Sequence, residues 1–393
     1  MSLKKNAYKK NIINHLYFAK ALSCAELSER TGKSLPLTTK ILNELIKEHY
    51  ITETGFAPSS GGRRPLTYSL RPDVLFVVAV SMDQFVTRIA IMDMNNNYVS
   101  PVEKFDLPLS NNKAALDILT QRIANHITAS GVAKASIAGI GIGMPGFIEP
   151  GKGINYSFLD APGGSIPAYI AEKTGINVFI DNDSSLIALA ELKFGSARQR
   201  ANAMVINIGW GVGLGMILEG KLFRGYNGFA GEFSHIPIFL NNKLCSCGKK
   251  GCLETESSLS VIVEKARQGL AAGQISILQS KLSSTDTELA FEEIMLAAKN
   301  GDQFAVQLFS EAGHNIGRGV AILIHIINPE IIILSGKGSL AGKIWKAPIQ
   351  QAINELCIPR LAASTDVEVS AIGHEAGLIG SAALVMENYK QQF

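Results

Sequence analysis

The segment 231-GEFSHIPIFLNNKLCSCGKKGCLETE-256 decides how the rest of the chain is read, because it gathers one histidine, three of the five cysteines and three glutamates into 26 positions. Cys245-x-Cys247-x4-Cys252 supplies three soft ligands within eight residues, and Gly248 and Gly251 let the backbone fold back around an ion. A tetrahedral zinc site needs a fourth ligand, and His235, ten residues upstream, is the nearest candidate. Three thiols this close in a reducing compartment invite oxidation unless they are held, so a metal is favoured over three inert cysteines. Four protein ligands leave no open position, which makes the Zn2+ structural and not catalytic.

The remainder of the chain sets the context for that cluster. With 393 residues it is too long for one ordinary core and predicts two or three domains. Five cysteines are an odd and sparse set, which excludes a disulfide framework and points to a reducing, cytoplasmic setting. The most apolar stretch, Val320 to Leu334, is interrupted by His325, Asn328, Pro329 and Glu330, so no membrane span is expected. The basic amino terminus is broken by Asn14, His15 and Lys20, which does not suit a signal peptide. Cys24 and Cys357 read as packing thiols.

Net charge is unevenly placed. Residues 1–72 hold 12 Lys/Arg against 5 Asp/Glu, a balance of +7, while the remainder stands at −4. That asymmetry predicts a polyanion-binding module attached to an acidic body. Helical spacing of Ile12, Ile13, Leu16 and Tyr17 predicts a first helix over 7–19. Ser23 and Glu26 form a capping box for the next helix, Gly32 stops it, and Ser34 is placed to cap a third that carries Pro36 in its first turn. Leu37, Ile41, Leu42, Leu45 and Ile46 form the expected buried stripe. Pro36, Thr39, Lys40, Asn43 and Lys47 then make a polar, basic outer face, the arrangement of a helix-turn-helix. Residues 50–70 read as two strands around a Gly/Ser-rich tip bearing Arg63 and Arg64, a wing able to reach phosphates or a minor groove. Candidate DNA-contacting residues are therefore Pro36, Thr39, Lys40, Asn43, Arg63 and Arg64.

From Val74 the pattern becomes α/β. LFVVAVSM and TRIAIMDMN predict a hairpin, 114–130 a helix, and ASIAGIGIGMPGFI a buried strand. A second cycle follows: INVFID as a strand, 184–194 as a helix, ANAMVINIGWGVGLGMILEGKLFRG as a Gly-rich hairpin, and a late helix, Asn-Pro turn and strand.

Together these residues resemble the ROK family of repressors, open reading frames and kinases. GEFSHIPI…CSCGKKGCLE is similar to its zinc-loop signature, GIGMPGFI to its Gly-x-Pro-Gly strand end, and DNDSSLIALAE to its Asn-Asp-Ala helix start. The resemblance covers nearly the whole chain, and the amino-terminal segment with its Gly-Gly-Arg-Arg-Pro tip is similar to the winged helix-turn-helix of the repressor branch. It implies a two-lobed actin-like, ribonuclease H-like fold with a sugar in the cleft. The implied domains are 1–72 for DNA binding, 73–195 completed by the C-terminal helix 374–390 as the first lobe, and 196–373 with the zinc loop as the second. By the same resemblance Asn182, Asp183, Glu232, His235 and Glu254 match positions that hold sugar hydroxyls, and a zinc-bound imidazole would donate from its second nitrogen. Ser234 stands where glycine is usual, which is tolerable unless that backbone needs positive φ.

Asp183 matches the catalytic base of the family's sugar kinases. Phosphoryl transfer also requires a phosphate cradle, and here Asp-x-Gly-Gly-Thr is replaced by Ser81-Met82-Asp83-Gln84-Phe85. A second loop, Gly209-Trp210-Gly211, places an indole where threonine is usual. The expected function is accordingly a sugar-responsive repressor of carbohydrate metabolism genes, binding operator DNA as a dimer or tetramer. An ATP-dependent sugar kinase with a divergent phosphate loop is the alternative, and a repressor answering to a partner protein is a third reading.

Overall fold

The computed structural model describes residues 2–56, 64–282 and 286–389. They form two compact units, one running to Asn182 and resumed from Leu378, the other spanning Asp183–Gly377.

The first unit opens with α1 (Ser2–Ala19), β1 (Leu22–Ser23), α2 (Cys24–Thr31) and α3 (Leu35–Lys47). Ser23 and Glu26 make the capping box, and Gly32 ends α2 in the left-handed conformation. A wing follows, β2 (Ile51–Phe56) and β3 (Leu66–Leu70), with β1 completing the antiparallel order β1-β3-β2. Its tip, including Arg63, lies outside the described residues, and Arg64 is exposed.

Three local expectations change here. Helix α1 begins at Ser2, five residues before the predicted start, because Lys5 and Lys9 in its early turns pair with Glu44 of α3 at 2.8 and 3.2 Å. The buried face of α3 is Thr38, Ile41, Leu42 and Leu45. Leu37 is exposed instead, since Tyr8 of α1 reaches Thr38 Oγ1 at 2.6 Å and fixes which side of the helix turns inward. Ser34 stands at the N-cap but makes no side-chain capping bond, leaving Pro in the first turn as the start signal.

The same unit continues as an α/β layer: β4 (Phe76–Met82), β5 (Val86–Met92), β6 (Glu103–Asp106), α4 (Ala115–Ser130), β7 (Ile137–Met144), the small pair β8 (Ile148–Glu149) and β9 (Ile154–Asn155), α5 (Ile166–Thr174) and β10 (Val178–Asn182). Their sheet has the order β10-β7-β4-β5-β6. Every residue of β7 is buried, as a central strand covered on both faces requires.

The second unit starts with α6 (Asp183–Phe194) and the meander β11 (Ala203–Ile208), β12 (Val212–Leu218) and β13 (Lys221–Phe223). Helices α7 (Glu254–Ser257), α8 (Leu259–Ala271), α9 (Thr287–Lys299) and α10 (Gln303–Ile327) lead to β14 (Ile331–Ser335), α11 (Lys346–Leu356), α12 (Pro359–Ala362) and β15 (Asp366–Val369). The sheet order is β13-β12-β11-β14-β15. Each unit therefore holds three antiparallel strands extended by two parallel ones, the same topology twice. This is the actin-like, ribonuclease H-like architecture. In α10, a Cβ on Gly319 would stand 2.6 Å from Phe233 and 2.7 Å from Leu253, so glycine there lets the helix seat the two residues that flank the cysteine-bearing loop.

The final helix, α13 (Ala376–Tyr389), returns the chain to the first unit. Ser381 donates to the carbonyl of Val80 at 2.8 Å, and Asn14 of α1 donates to the carbonyl of Met386. Tyr17 of α1 donates to Asn96 at 2.5 Å. The helix-turn-helix is thus fastened through α1 to the sheet-bearing part of its own unit. Among the described residues, no helix is long and apolar enough to cross a membrane.

Candidate functional site

The segment between β13 and α7 folds as a twisted loop tied by backbone bonds. Cys245 N–H donates to Lys249 at 2.8 Å, Phe239 N–H to Gly251 at 3.0 Å, and Leu253 N–H to Ile236 at 3.1 Å. Gly251 has φ of +74°, and a Cβ there would come within 2.0 Å of the Phe239 carbonyl, so only glycine fits. This folding brings His235, Cys245, Cys247 and Cys252 together with ligand atoms all within 4.8 Å of one another, a group able to hold a metal ion. Sγ of Cys247 and Cys252 are 3.7 Å apart, and Cys245 Sγ lies 3.5 Å from His235 Nδ1. A tetrahedron of thiolates at zinc–sulfur distance has edges of about 3.8 Å, so the geometry fits. Burial and the neighbouring thiols push Cys252 up to about 12. For Cys247 burial acts upward, but the Lys249 N–H and adjacent thiols outweigh it and the pKa falls.

His235 offers Nδ1 to this cluster, which leaves Nε2 facing outward, 3.8 Å from a Glu232 carboxylate oxygen. Burial raises Glu232 above the ordinary carboxylate range, with His235 opposing and the charge of Glu254 adding to the rise. Glu254, the first residue of α7, accepts the Val212 N–H at 3.4 Å through Oε2 and has Oε1 3.9 Å from Cys245 Sγ. Ser234 lies in a short 3-10 turn and is not a positive-φ position, so its replacement of glycine carries no backbone strain.

Asp183 is the first residue of α6, where the helix dipole favours a carboxylate. It accepts from Asn207 Nδ2 at 3.1 Å and from Ser184 at 3.3 Å. Asn207 also donates to Ser184 Oγ at 3.0 Å. The motif reading did not single out Asn207; its signal was an amide inside the otherwise apolar strand AMVINI. Asn182 belongs to the first unit, where its side chain donates to the Gly146 carbonyl at 3.2 Å.

The turn that would cradle phosphate in the first unit is closed on itself. Asp83 Oδ1 accepts the N–H groups of Phe85 at 2.7 Å and Val86 at 2.8 Å. In the second unit Trp210 is buried, edge-on to Phe291 with centroids 6.1 Å apart, and the Lys337 ammonium lies 5.1 Å from its ring while pairing with Glu288. On α3, Pro36, Thr39, Lys40 and Asn43 are all exposed.

Comparison with known proteins agrees with this fold. The model described as "ROK family" matches residues 78–388, and one described as "Winged helix-turn-helix DNA-binding" matches residues 5–52. The chain is 30% identical to the xylose repressor of Caldicellulosiruptor bescii over 98% of this chain and 97% of that protein. A ROK family transcriptional regulator described as a homolog of the E. coli MLC protein superposes with a TM-score of 0.78 at 26% identity, covering 98% of this chain and 97% of that one. The ROK family glucokinase from Streptomyces griseus, solved with glucose and AMPPNP, gives a TM-score of 0.69 at 26% identity, with 79% and 98% covered.

Proposed function

The chain belongs to the ROK family, and from that premise we propose that it is a sugar-responsive, DNA-binding repressor of carbohydrate metabolism genes. The observation that carries this reading is the exposed polar and basic face of α3, on a module that α1 fastens to a ROK lobe whose phosphate turn is closed by its own Asp83. A kinase needs those turn N–H groups for phosphate. Here they are already used.

Asp183, Glu232, His235 and Glu254, with Asn182, hold the hydroxyls of a sugar or sugar derivative. Paired carboxylates and an amide each suit vicinal hydroxyls, and His235 donates from Nε2. Zn2+ on His235, Cys245, Cys247 and Cys252 is structural: when bound it fixes the imidazole and the loop that carries Glu254. Pro36, Thr39, Lys40, Asn43, Arg63 and Arg64 face operator DNA, and a cytoplasmic homodimer or tetramer presents two such faces to paired half-sites. Sugar shifts a two-state equilibrium between forms of different operator affinity. Moving that balance from 1:99 to 99:1 needs roughly 10⁴-fold preference for one form.

The test is fluorescence anisotropy of the full chain on DNA from its own upstream region at fixed salt, with a panel of free and phosphorylated sugars. Tight binding released by one sugar is the expected result. Sugar that binds without changing DNA affinity would sink the switch, and ATP-dependent phosphorylation lost in Asp183→Asn would establish the kinase instead.

A further inference from the structure

The outward displacement of Leu37 has a counterpart in Leu35: they are 42% and 52% exposed, with the exposed Pro36 between them. Single exposed leucines are ordinary. These stand in the first turn of the helix whose N-terminal residues reach base edges when such a module docks in a major groove. Their surroundings narrow what they can meet. Lys33 and Lys40 are exposed close to them, and Lys47 at the far end of the same helix, whereas Glu44 is paired with Lys5 and Lys9, and Glu48 with Lys9. The first turn of α3 therefore carries an apolar side chain on each flank of its exposed side, with cations close by, which suits a polyanion that also carries apolar groups.

Thr39 strengthens the point. Its hydroxyl donates to the Leu35 carbonyl at 2.9 Å and lies 3.3 Å from Cys24 Sγ, so what it can offer a base is chiefly its methyl. Asn43, one turn further and exposed, carries the amide that pairs bidentately with adenine. The apolar feature of a major groove is the thymine C5-methyl group. Resting on the DNA-binding reading above, we propose that Leu35 and Leu37 read thymine methyls, and that the half-site facing the first turn of α3 is rich in A·T pairs.

The experiment uses the full-length protein and a duplex it selects from a random-sequence library, followed by replacement of each dT by dU, which removes only the methyl. Wild type is expected to bind about fourfold more weakly for each contacted methyl lost. Leu35→Ala and Leu37→Ala, both at exposed positions, should each weaken the parent duplex and abolish the dU penalty at one position. Lys40→Ala should weaken every duplex alike and keep the penalty. Equal binding of dT and dU duplexes, or a penalty undiminished in both leucine variants, overturns the inference while leaving DNA binding intact. Absence of salt-dependent binding to any duplex overturns the DNA reading itself, and this inference with it.

Discussion

The turn joining β4 to β5 and the turn joining β11 to β12 occupy the same place in two sheets of the same strand order, yet each is closed by a carboxylate from a different source. In the first, Asp83 caps the N–H groups two and three residues ahead of it. In the second, Glu254 reaches the Val212 N–H from 42 residues away, Leu259 N–H donates to the Gly209 carbonyl at 3.0 Å, and Ser260 donates to the Trp210 carbonyl at 2.8 Å. The first turn is sealed by its own carboxylate, while the Leu107 and Leu109 N–H groups donate to the Phe85 and Gln84 carbonyls at 2.7 and 3.1 Å. The other is held by the segment that follows the cysteine loop. The difference lies in what each turn is tied to: the second to the segment that follows the cysteine loop, the first to its own Asp83 and to the stretch just after β6.

The largest effect should come from removing the metal. Structural zinc sites contribute about 10–16 kcal/mol of apparent binding energy, so Cys252→Ser should strip the ion and unfix His235 and Glu254 together. Sugar affinity is expected to fall by roughly 100-fold or more. Sugar-free DNA affinity should hold, because α1, α2 and α3 belong to the other unit. Metal content by mass spectrometry and a sugar titration on the same sample check this, and a variant that keeps its sugar affinity without zinc would break the proposed coupling.

Next in size is Asn207→Asp. It places a second carboxylate where an amide now donates to Asp183 at 3.1 Å. Two carboxylates at that spacing share a proton, and the pair titrates well above the ordinary range. Strands β11 and β12 beside α6 carry no other ionisable side chain, β13 brings only the exposed Lys221, and Glu254 at the start of α7 is common to both proteins. Sugar binding by the variant should be about tenfold weaker at pH 8 and recover toward pH 5, as the shared proton restores a donor. Calorimetry across that range tests it. A loss that is flat with pH would make Asn207 a packing residue only.

How much of this was legible beforehand depends on the range of the interaction. The capping box at Ser23 and Glu26, the left-handed stop at Gly32 and the ligand spacing of the three cysteines are short-range arrangements, and spacing alone exposes them. The inward side of α3 is not. Periodicity put Leu37 in the buried stripe, whereas Thr38 turns inward, bonded to Tyr8 30 residues away. The early start of α1 likewise depends on Glu44. Asn207 could be seen as an amide among apolar neighbours, but its partner Asp183 lies 24 residues upstream. The replacement of the cradle's two glycines by Asp83 and Gln84 was plain in the sequence. That Asp83 uses the vacated N–H groups was not, since an acid in a turn can equally face solvent.

That last point gives the smallest effect and the sharpest control. Asp83→Ala leaves two turn N–H groups without their acceptor and should lower the stability of the first unit by about 1–3 kcal/mol in urea. Asp83→Asn retains an acceptor oxygen and should cost under about 1 kcal/mol. Neither should change sugar affinity by more than about twofold, since Asp83 bonds the N–H groups of its own turn and belongs to a different unit from the cysteine loop. If Asp83→Ala weakened sugar binding as strongly as Cys252→Ser, the two turns would be parts of one coupled system, and the distinction between a turn sealed by its own carboxylate and a turn held by the segment after the cysteine loop would have to be given up.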